Sequence, residues 1–496
     1  LDMARLRERS GDYRIAARSD RPTKLAAGCP AWAAPFCDCP PASAHGRCLL
    51  LDVAEGRDPC RSSASSRVNP AMVEAGAPRC GAARRYHRAM PPVFRIAVLA
   101  LLALLAGCAT PPPPASSSPT VVLVSIDGLP ASVVGSGRMP TLDAIAATGT
   151  RADWLTPSYP TLTFPNHYTL ATGQRPDHHG IVHNNMRDAQ LGRFVSKEAS
   201  ARDGRWWGGE PIWTTLQRQG GIAATMFWPG SEVAIGGQRP RYWLPFNGTM
   251  PVDARVDQVL AWLDLPRARR PRLLTLYLEQ YDVASHAAGM HSAQAQQALA
   301  TIDAGLARLR AGLQARGLDA TTTLIVLSDH GMADVRGEDI RYLDDLVPDA
   351  ALQAEYGGQV MGLRAAPGRE AEVEAAVLGR HDHYACWRKG ETPPGWHFGR
   401  NPRIPPIVCQ ADDGWRVWLH RWPKQPALKG EHGFAPEDPG MRAVFLATGP
   451  SFRPRTHLPA FDNVDVYPLL AHLLRIQPAA NDGSLSPLLP ALRETR

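Results

Sequence analysis

Two apolar runs far apart in the chain end in the same way. Val121-Val-Leu-Val-Ser-Ile126 leads directly into Asp127-Gly128, and Thr323-Leu-Ile-Val-Leu327 leads into Ser328-Asp329-His330-Gly331-Met332. A strand with one wet face alternates apolar and polar residues, whereas these runs do not, so they read as strands buried on both faces. The carboxyl end of such a strand is where a sheet presents side chains to a cleft. Here it presents carboxylates and an imidazole, which are metal ligands.

The same pattern recurs. Leu273 to Leu278 and Ala443 to Ala447 also read as buried strands, with helical candidates at Val256 to Leu263, Ala293 to Arg316 and Val466 to Leu474. Strand and helix alternation of this kind predicts an α/β fold, a central and mostly parallel sheet with helices on both faces. No internal repeat is visible at a fixed period. The expected catalytic domain is 121–496. Within it, residues 370–429 hold Trp387, Trp396, Trp415, Trp418 and Trp422 among many prolines, and read as an irregular insertion or cap.

The start of the 496-residue chain is different in kind. Residues 1–89 carry six of the nine cysteines and 15 Lys and Arg against 9 Asp and Glu, which accounts for six of the seven net positive charges. The basic balance therefore belongs to that segment and is no argument for a nucleic-acid-binding surface, so no sequence-specific nucleic-acid partner is expected. Met90 to Arg95 followed by the apolar run Ile96 to Ala106 reads as an export signal at 90–107, too short to span a bilayer. Its end, Leu105-Ala-Gly-Cys108, resembles a bacterial lipoprotein box in which Cys108 is lipidated. Residues 108–120, with four consecutive prolines and three serines, then read as a tether. The expectation is a periplasm-facing, membrane-anchored protein of a bacterial cell envelope. Residues 1–89 would be a non-native, disordered extension ahead of Met90; a Cys-rich metal or disulfide module is the other reading, and it lacks paired CxxC spacings. In an exported protein a disulfide between Cys386 and Cys409 is expected.

Between and beyond the two strand ends lie further ligands. Asp282 and His286 follow the run Leu276-Tyr-Leu at a spacing of four, which puts both on one side of a helical turn. His432 sits between Gly430 and Gly433, in a segment that can approach other backbone closely. Thr163, between Pro160 and Pro165, stands where a turn opens a helix, as a nucleophile activated by metal or as an ordinary cap residue. Asn184 offers an amide donor for a phosphoryl oxygen, or simply a turn. Three aspartates, three imidazoles and a hydroxyl make up the parts of a two-metal hydrolase.

The order of these motifs resembles the nucleotide pyrophosphatase/phosphodiesterase family of the alkaline phosphatase superfamily. Thr161-Leu-Thr-Phe-Pro-Asn-His, Gly180-Ile-Val-His-Asn-Asn-Met, Phe227-Trp-Pro-Gly-Ser, Asn401-Pro-Arg-Ile-Pro-Pro and Met441-Arg-Ala-Val-Phe carry the resemblance over essentially everything from Val121 onward. It implies two Zn2+, one held by Asp282, His286 and His432, the other by Asp127, Asp329 and His330, with Thr163 bridging. Thr163 would attack phosphorus, Asn184 would stabilise the developing charge, and the phospho-threonine would be hydrolysed to release a nucleoside monophosphate. Phe164 and Phe246 look like the aromatic pair that sandwiches a nucleobase in that family, or are core residues; Tyr is common in the family where Phe246 stands. Glu431 departs from the small hydroxyl residue usual there, and either tunes the centre or faces solvent.

Charge favours diesters. Three aspartates and a threonine alkoxide neutralise two dications, which suits the single charge of a phosphodiester, and no Arg or Lys lies within 158–171 to add the cation a monoesterase uses. A phosphocholine or phospholipid-type diesterase on the same scaffold, and a non-catalytic metal-binding envelope lipoprotein, are the alternatives. Oligomeric state is not legible.

Overall fold

A computed structural model describes residues 119–421 and 428–493. The expected extension at 1–89, the export signal, Cys108 and nearly all of the tether lie outside these residues. Among the described residues no helix is long and apolar enough to cross a membrane.

An eight-stranded sheet organises the chain, in the order Thr456–Leu458, Thr150–Ala152, Phe445–Thr448, Thr322–Leu327, Thr120–Ile126, Leu273–Leu278, Ala223–Met226 and Tyr242–Leu244. All its strands are parallel except Phe445–Thr448, which runs against both neighbours. Successive residues of the central strand go to opposite faces. Val121 and Leu123 join one core with Leu470 and Trp213, and Val122, Val124 and Ile126 join the other with Val256, Leu299 and Leu306. Helices Thr163–Thr172, Ile212–Arg218 and Val466–Leu474 cover the first face, and Pro140–Thr148, Val252–Leu263 and Ala293–Ala315 the second. Burial on both sides is why the strands lack alternation. The long helix starts where Ser292 accepts the Ala295 N–H, a side-chain cap.

The stretch read as irregular is more ordered than its composition suggested, and its sheet begins earlier. Leu352–Tyr356, Val360–Ala365, Ile407–Ala411, Tyr384–Arg388 and Gly379–His381 form a five-stranded antiparallel sheet around helix Glu370–Val377, with a small core of its own. Prolines 393, 394, 402, 405 and 406 fall between strands, where they cost no ladder hydrogen bond. Cys386 and Cys409 are direct register partners on neighbouring strands and are joined by a disulfide. The bridge closes a 23-residue separation. Changing both cysteines to Ser is therefore expected to destabilise this sheet by about 3 kcal/mol, seen as a lower urea midpoint that reductant no longer shifts.

Candidate metal centre and active site

Three backbone segments leave the sheet at the carboxyl ends of neighbouring parallel strands, and a fourth arrives from a separate two-stranded pair; together they deliver the acid and imidazole groups. After Ile126 the chain turns at Gly128, whose φ of +69° is a left-handed conformation that glycine adopts without cost; this places Asp127, 1% exposed, at the strand end. Strand Leu273–Leu278 feeds helix Gln280–Ala288, with Asp282 in its first turn and His286 in its last. Beyond Thr322–Leu327 the chain leaves the sheet at Ser328, whose Oγ donates to Leu129 O at 2.6 Å and accepts the Val444 N–H at 2.8 Å. The chain thus departs from strand geometry at Ser328, ahead of the glycine at 331 that could have allowed such a break. Gly331 is needed for a different reason, because a Cβ there would lie 1.9 Å from Gly440 O. His432 follows the short strand Gly430–Glu431, which pairs antiparallel with Ala333–Asp334.

These segments gather two triads, Asp282/His286/His432 and Asp127/Asp329/His330, with the candidate ligand atoms of each within 4.8 Å of one another. His286 Nε2 and His432 Nε2 lie 3.3 and 3.5 Å from Asp282 Oδ1. His330 Nε2 lies 3.0 Å from Asp329 Oδ2 and 3.4 Å from Asp127 Oδ1. The triads adjoin, since the His330 and His432 rings stack at 3.7 Å between centroids.

All three histidines face backbone carbonyls with Nδ1: His286 to Gly430 O at 2.8 Å, His330 to Gly331 O at 2.8 Å, His432 to Thr161 O at 3.0 Å. A neutral ring donating there turns the Nε2 lone pair into the cluster. Lone pairs then meet Asp127 Oδ1, Asp282 Oδ1 and Asp329 Oδ2, buried oxygens that receive no hydrogen bond. A pair of cations would satisfy those oxygens and lone pairs together, so the residues present fit a pair of metal ions.

The electrostatics agree. Burial, then repulsion from Asp329 and Asp282, pushes the Asp127 carboxyl well above its ordinary range. Burial also acts upward on Asp329 and Asp282, but neighbouring imidazoles outweigh it: His330 and His167 hold Asp329 well down, and His286 holds Asp282 at about 2. His286 is drawn up to about 9, its burial overcome by Asp282, while burial and His330 push His432 down to about 3.

Thr163 is the first residue of helix Thr163–Thr172, with Oγ1 at 3.2 Å from His330 Nε2. The next backbone amide, Phe164 N–H, donates to Asn184 Oδ1 at 2.9 Å. That bond spends the carbonyl of Asn184 and leaves its NH2 as the group available to a ligand.

A family model described as type I phosphodiesterase / nucleotide pyrophosphatase matches residues 121–435, more than half of the chain. Ectonucleotide pyrophosphatase/phosphodiesterase family member 3 of Rattus norvegicus is 34% identical over 378 residues, 74% of this chain and 43% of that protein. Venom phosphodiesterase 2 of Crotalus adamanteus is 36% identical over 377 residues, 73% of this chain and 46% of its own. The solved structure of murine ectonucleotide pyrophosphatase/phosphodiesterase 5 has a TM-score of 0.72 and 31% identity, covering 75% of this chain and 100% of that one. An inactive threonine-to-alanine form of the mouse protein in complex with AMP matches with the same score and identity, over 76% and 100%. The chain belongs to this family. It spans less than half the length of the rat and snake relatives.

The residues expected from the sequence are placed as follows: the six acid and imidazole groups and Thr163 converge, and Asn184 touches the backbone next to Thr163. Phe246 is half exposed rather than core, packed edge-on to Phe227 and 6.1 Å from Tyr277. Phe164 is half-buried against Phe194 and Trp207. Glu431 does not face solvent; it is buried beside His286.

Three residues that support the cluster in this family member carry no role in the sequence reading above. The Tyr277 hydroxyl donates to Asp127 Oδ2. His167 Nδ1 lies 3.1 Å from Asp329 Oδ2 and 3.0 Å from Thr163 O, with Nε2 at 2.9 Å from Ser125 Oγ. Signals did exist: His167 is four residues, one helical turn, beyond Thr163, and Tyr277 and Ser125 are polar groups inside apolar strands. The Asn184 loop has its own anchor, since Asp177 accepts the backbone amides of Gly399, Arg400 and Asn401, and Arg403 pairs with Asp188 at 2.9 Å.

Proposed function

We propose that this chain is a zinc-dependent phosphodiesterase that cleaves nucleotide phosphodiester and pyrophosphate bonds, releases nucleoside monophosphates, and uses Thr163 as its nucleophile. The observation that carries the reading is the Thr163 hydroxyl set against His330 Nε2 at the junction of two carboxylate–imidazole triads. The names of the relatives and the AMP complex of an inactive threonine-to-alanine neighbour support it.

Asp282, His286 and His432 would hold one ion and Asp127, Asp329 and His330 the other, nitrogen and oxygen donors that suit zinc. When bound, such ions supply a lowered hydroxyl pKa and positive charge opposite a phosphoryl group. The protein groups do the rest. Thr163 Oγ1 bonds to phosphorus as the bond to the leaving oxygen breaks, the hydroxyl proton departing with that oxygen, and the Asn184 NH2 donates to a nonbridging oxygen. Water then bonds to phosphorus as the P–Oγ1 bond breaks, which releases the nucleoside monophosphate and leaves one of the water's protons on Oγ1. His167 holds the Thr163 backbone and Asp329 together, so nucleophile and ligand keep their register.

Arg255, buried beneath Phe227, is bound to Glu279, Tyr277 O and Met250 O, so its charge is already spent. That supports a site tuned to a singly charged diester. Exposed Phe246 supports stacking on a base, a contact tolerant of base identity. The Cys386–Cys409 disulfide and the box at Cys108 support an exported, lipid-anchored form facing the periplasm.

The test is kinetic. Hydrolysis of the p-nitrophenyl ester of thymidine 5′-monophosphate is expected to exceed that of p-nitrophenyl phosphorylcholine and p-nitrophenyl phosphate by at least ~10-fold in kcat/KM. Preference for phosphorylcholine would move the substrate class to lipid-type diesters, and preference for the monoester would overturn the diesterase reading.

A further inference from the structure

Glu431 is a buried carboxylate that the reaction above leaves unused. Its backbone is fixed by pairing with Ala333, three residues beyond His330. Its side chain turns to His286, Oε2 lying 3.5 Å from Nδ1. The same nitrogen is 2.8 Å from Gly430 O, so the His286 N–H has a carbonyl and a carboxylate within reach. Among the described residues the matching nitrogens of His330 and His432 meet backbone carbonyls alone. Burial pushes the Glu431 carboxyl above its ordinary range, and His286 and then the buried guanidinium of Arg416, from strand Arg416–Trp418 of the insertion, oppose that by attracting its charged form.

We propose that Glu431 is a positioning residue for one half of the centre: its carboxylate, set behind the His286 N–H that Gly430 O accepts, holds the ring with Nε2 toward Asp282 Oδ1 by charge and strengthens that nitrogen as a donor, and so sets the cation affinity of the Asp282/His286/His432 triad without touching the other triad. The inference deepens the metal reading given above and rests on it. A carboxylate behind a metal-binding imidazole fixes its tautomer and raises its basicity, and losing such a partner typically costs 10–100-fold in affinity.

The experiment uses the full chain stripped of metal and titrated with Zn2+ against a chromophoric chelator, with circular dichroism as the folding control. The parent is expected to show two affinities. In Glu431→Gln one should weaken ~10–100-fold while the other stays within ~2-fold, with Glu431→Asp intermediate. Placing Glu431→Gln on an Asp282→Asn background, where the affected ion is already lost, should change the remaining affinity less than ~2-fold. Equal weakening of both ions would make Glu431 a general charge rather than a positioning group and overturn the proposal. Two unchanged affinities would overturn it as well, leaving the metal centre standing. A folded parent that takes up no Zn2+ would overturn the centre and this inference together.

Discussion

Thr163→Ala is expected to lower turnover of a nucleotide diester by at least ~10³-fold, with folding and metal uptake intact. The scale follows from the loss of the atom that bonds to phosphorus, because the remaining groups can bind the substrate but cannot divide the displacement into two easier steps. The structural cost is small. Thr163 is half-buried, the helix cap is Leu162 with no side-chain bond, and all six acid and imidazole groups remain. A methyl side chain at the first helical position should therefore change stability by no more than ~0.5 kcal/mol. Thr163→Ser keeps the oxygen and is expected to stay within ~10-fold of the parent. Steady-state rates, thermal midpoints and metal content on the three proteins decide the matter. Near-parental turnover in the alanine form would refute threonine as nucleophile, and an equal fall in Ser and Ala forms would assign the residue to packing.

Why these seven groups could be read from the chain, and their supports could not, is a matter of which information is local. Asp127 and Asp329 each end an apolar run, Asp282 and His286 share a helical turn, and His432 lies between glycines; each is a signal contained in a few neighbouring residues. Tyr277 meets Asp127 because Leu273–Leu278 lies beside Thr120–Ile126 with Ser125 opposite Tyr277, a register set by a crossover of some 150 residues. No local pattern says which strand will be the neighbour. Proline-rich connections likewise hid the insertion's sheet, since Val360–Ala365 pairs with Ile407–Ala411 across more than 40 residues. The fold class was legible for the opposite reason: burial on both faces acts on every residue of a strand and removes alternation throughout its length.

Removing the metal is expected to abolish turnover, to below ~1% of the parent, and to destabilise the chain. An ion held at 100 times its dissociation constant contributes about 2.7 kcal/mol to the folded state, and two ions contribute independently. Chelation withdraws that and leaves the Asp127, Asp282 and Asp329 carboxyl groups clustered in the interior with imidazoles as their counter-charges. Hydrogen exchange should accelerate first at 328–331 and 430–433, the segments that carry His330 and His432. Stability against pH then supplies an independent check. In the chelated protein Asp282 holds a proton on His286, whose pKa rises from 6.5 to about 9. A group raised in the folded state stabilises fully below its unfolded pKa, so this contribution is present below about pH 6.5 and is lost as pH climbs through about 9. The loaded protein should follow the opposite course, because ligands must shed protons to bind metal and acidification releases the ions. The two profiles are therefore expected to converge at low pH and separate as pH rises. Superimposable profiles, or full activity after exhaustive chelation, would mean that the two triads hold no cation that matters.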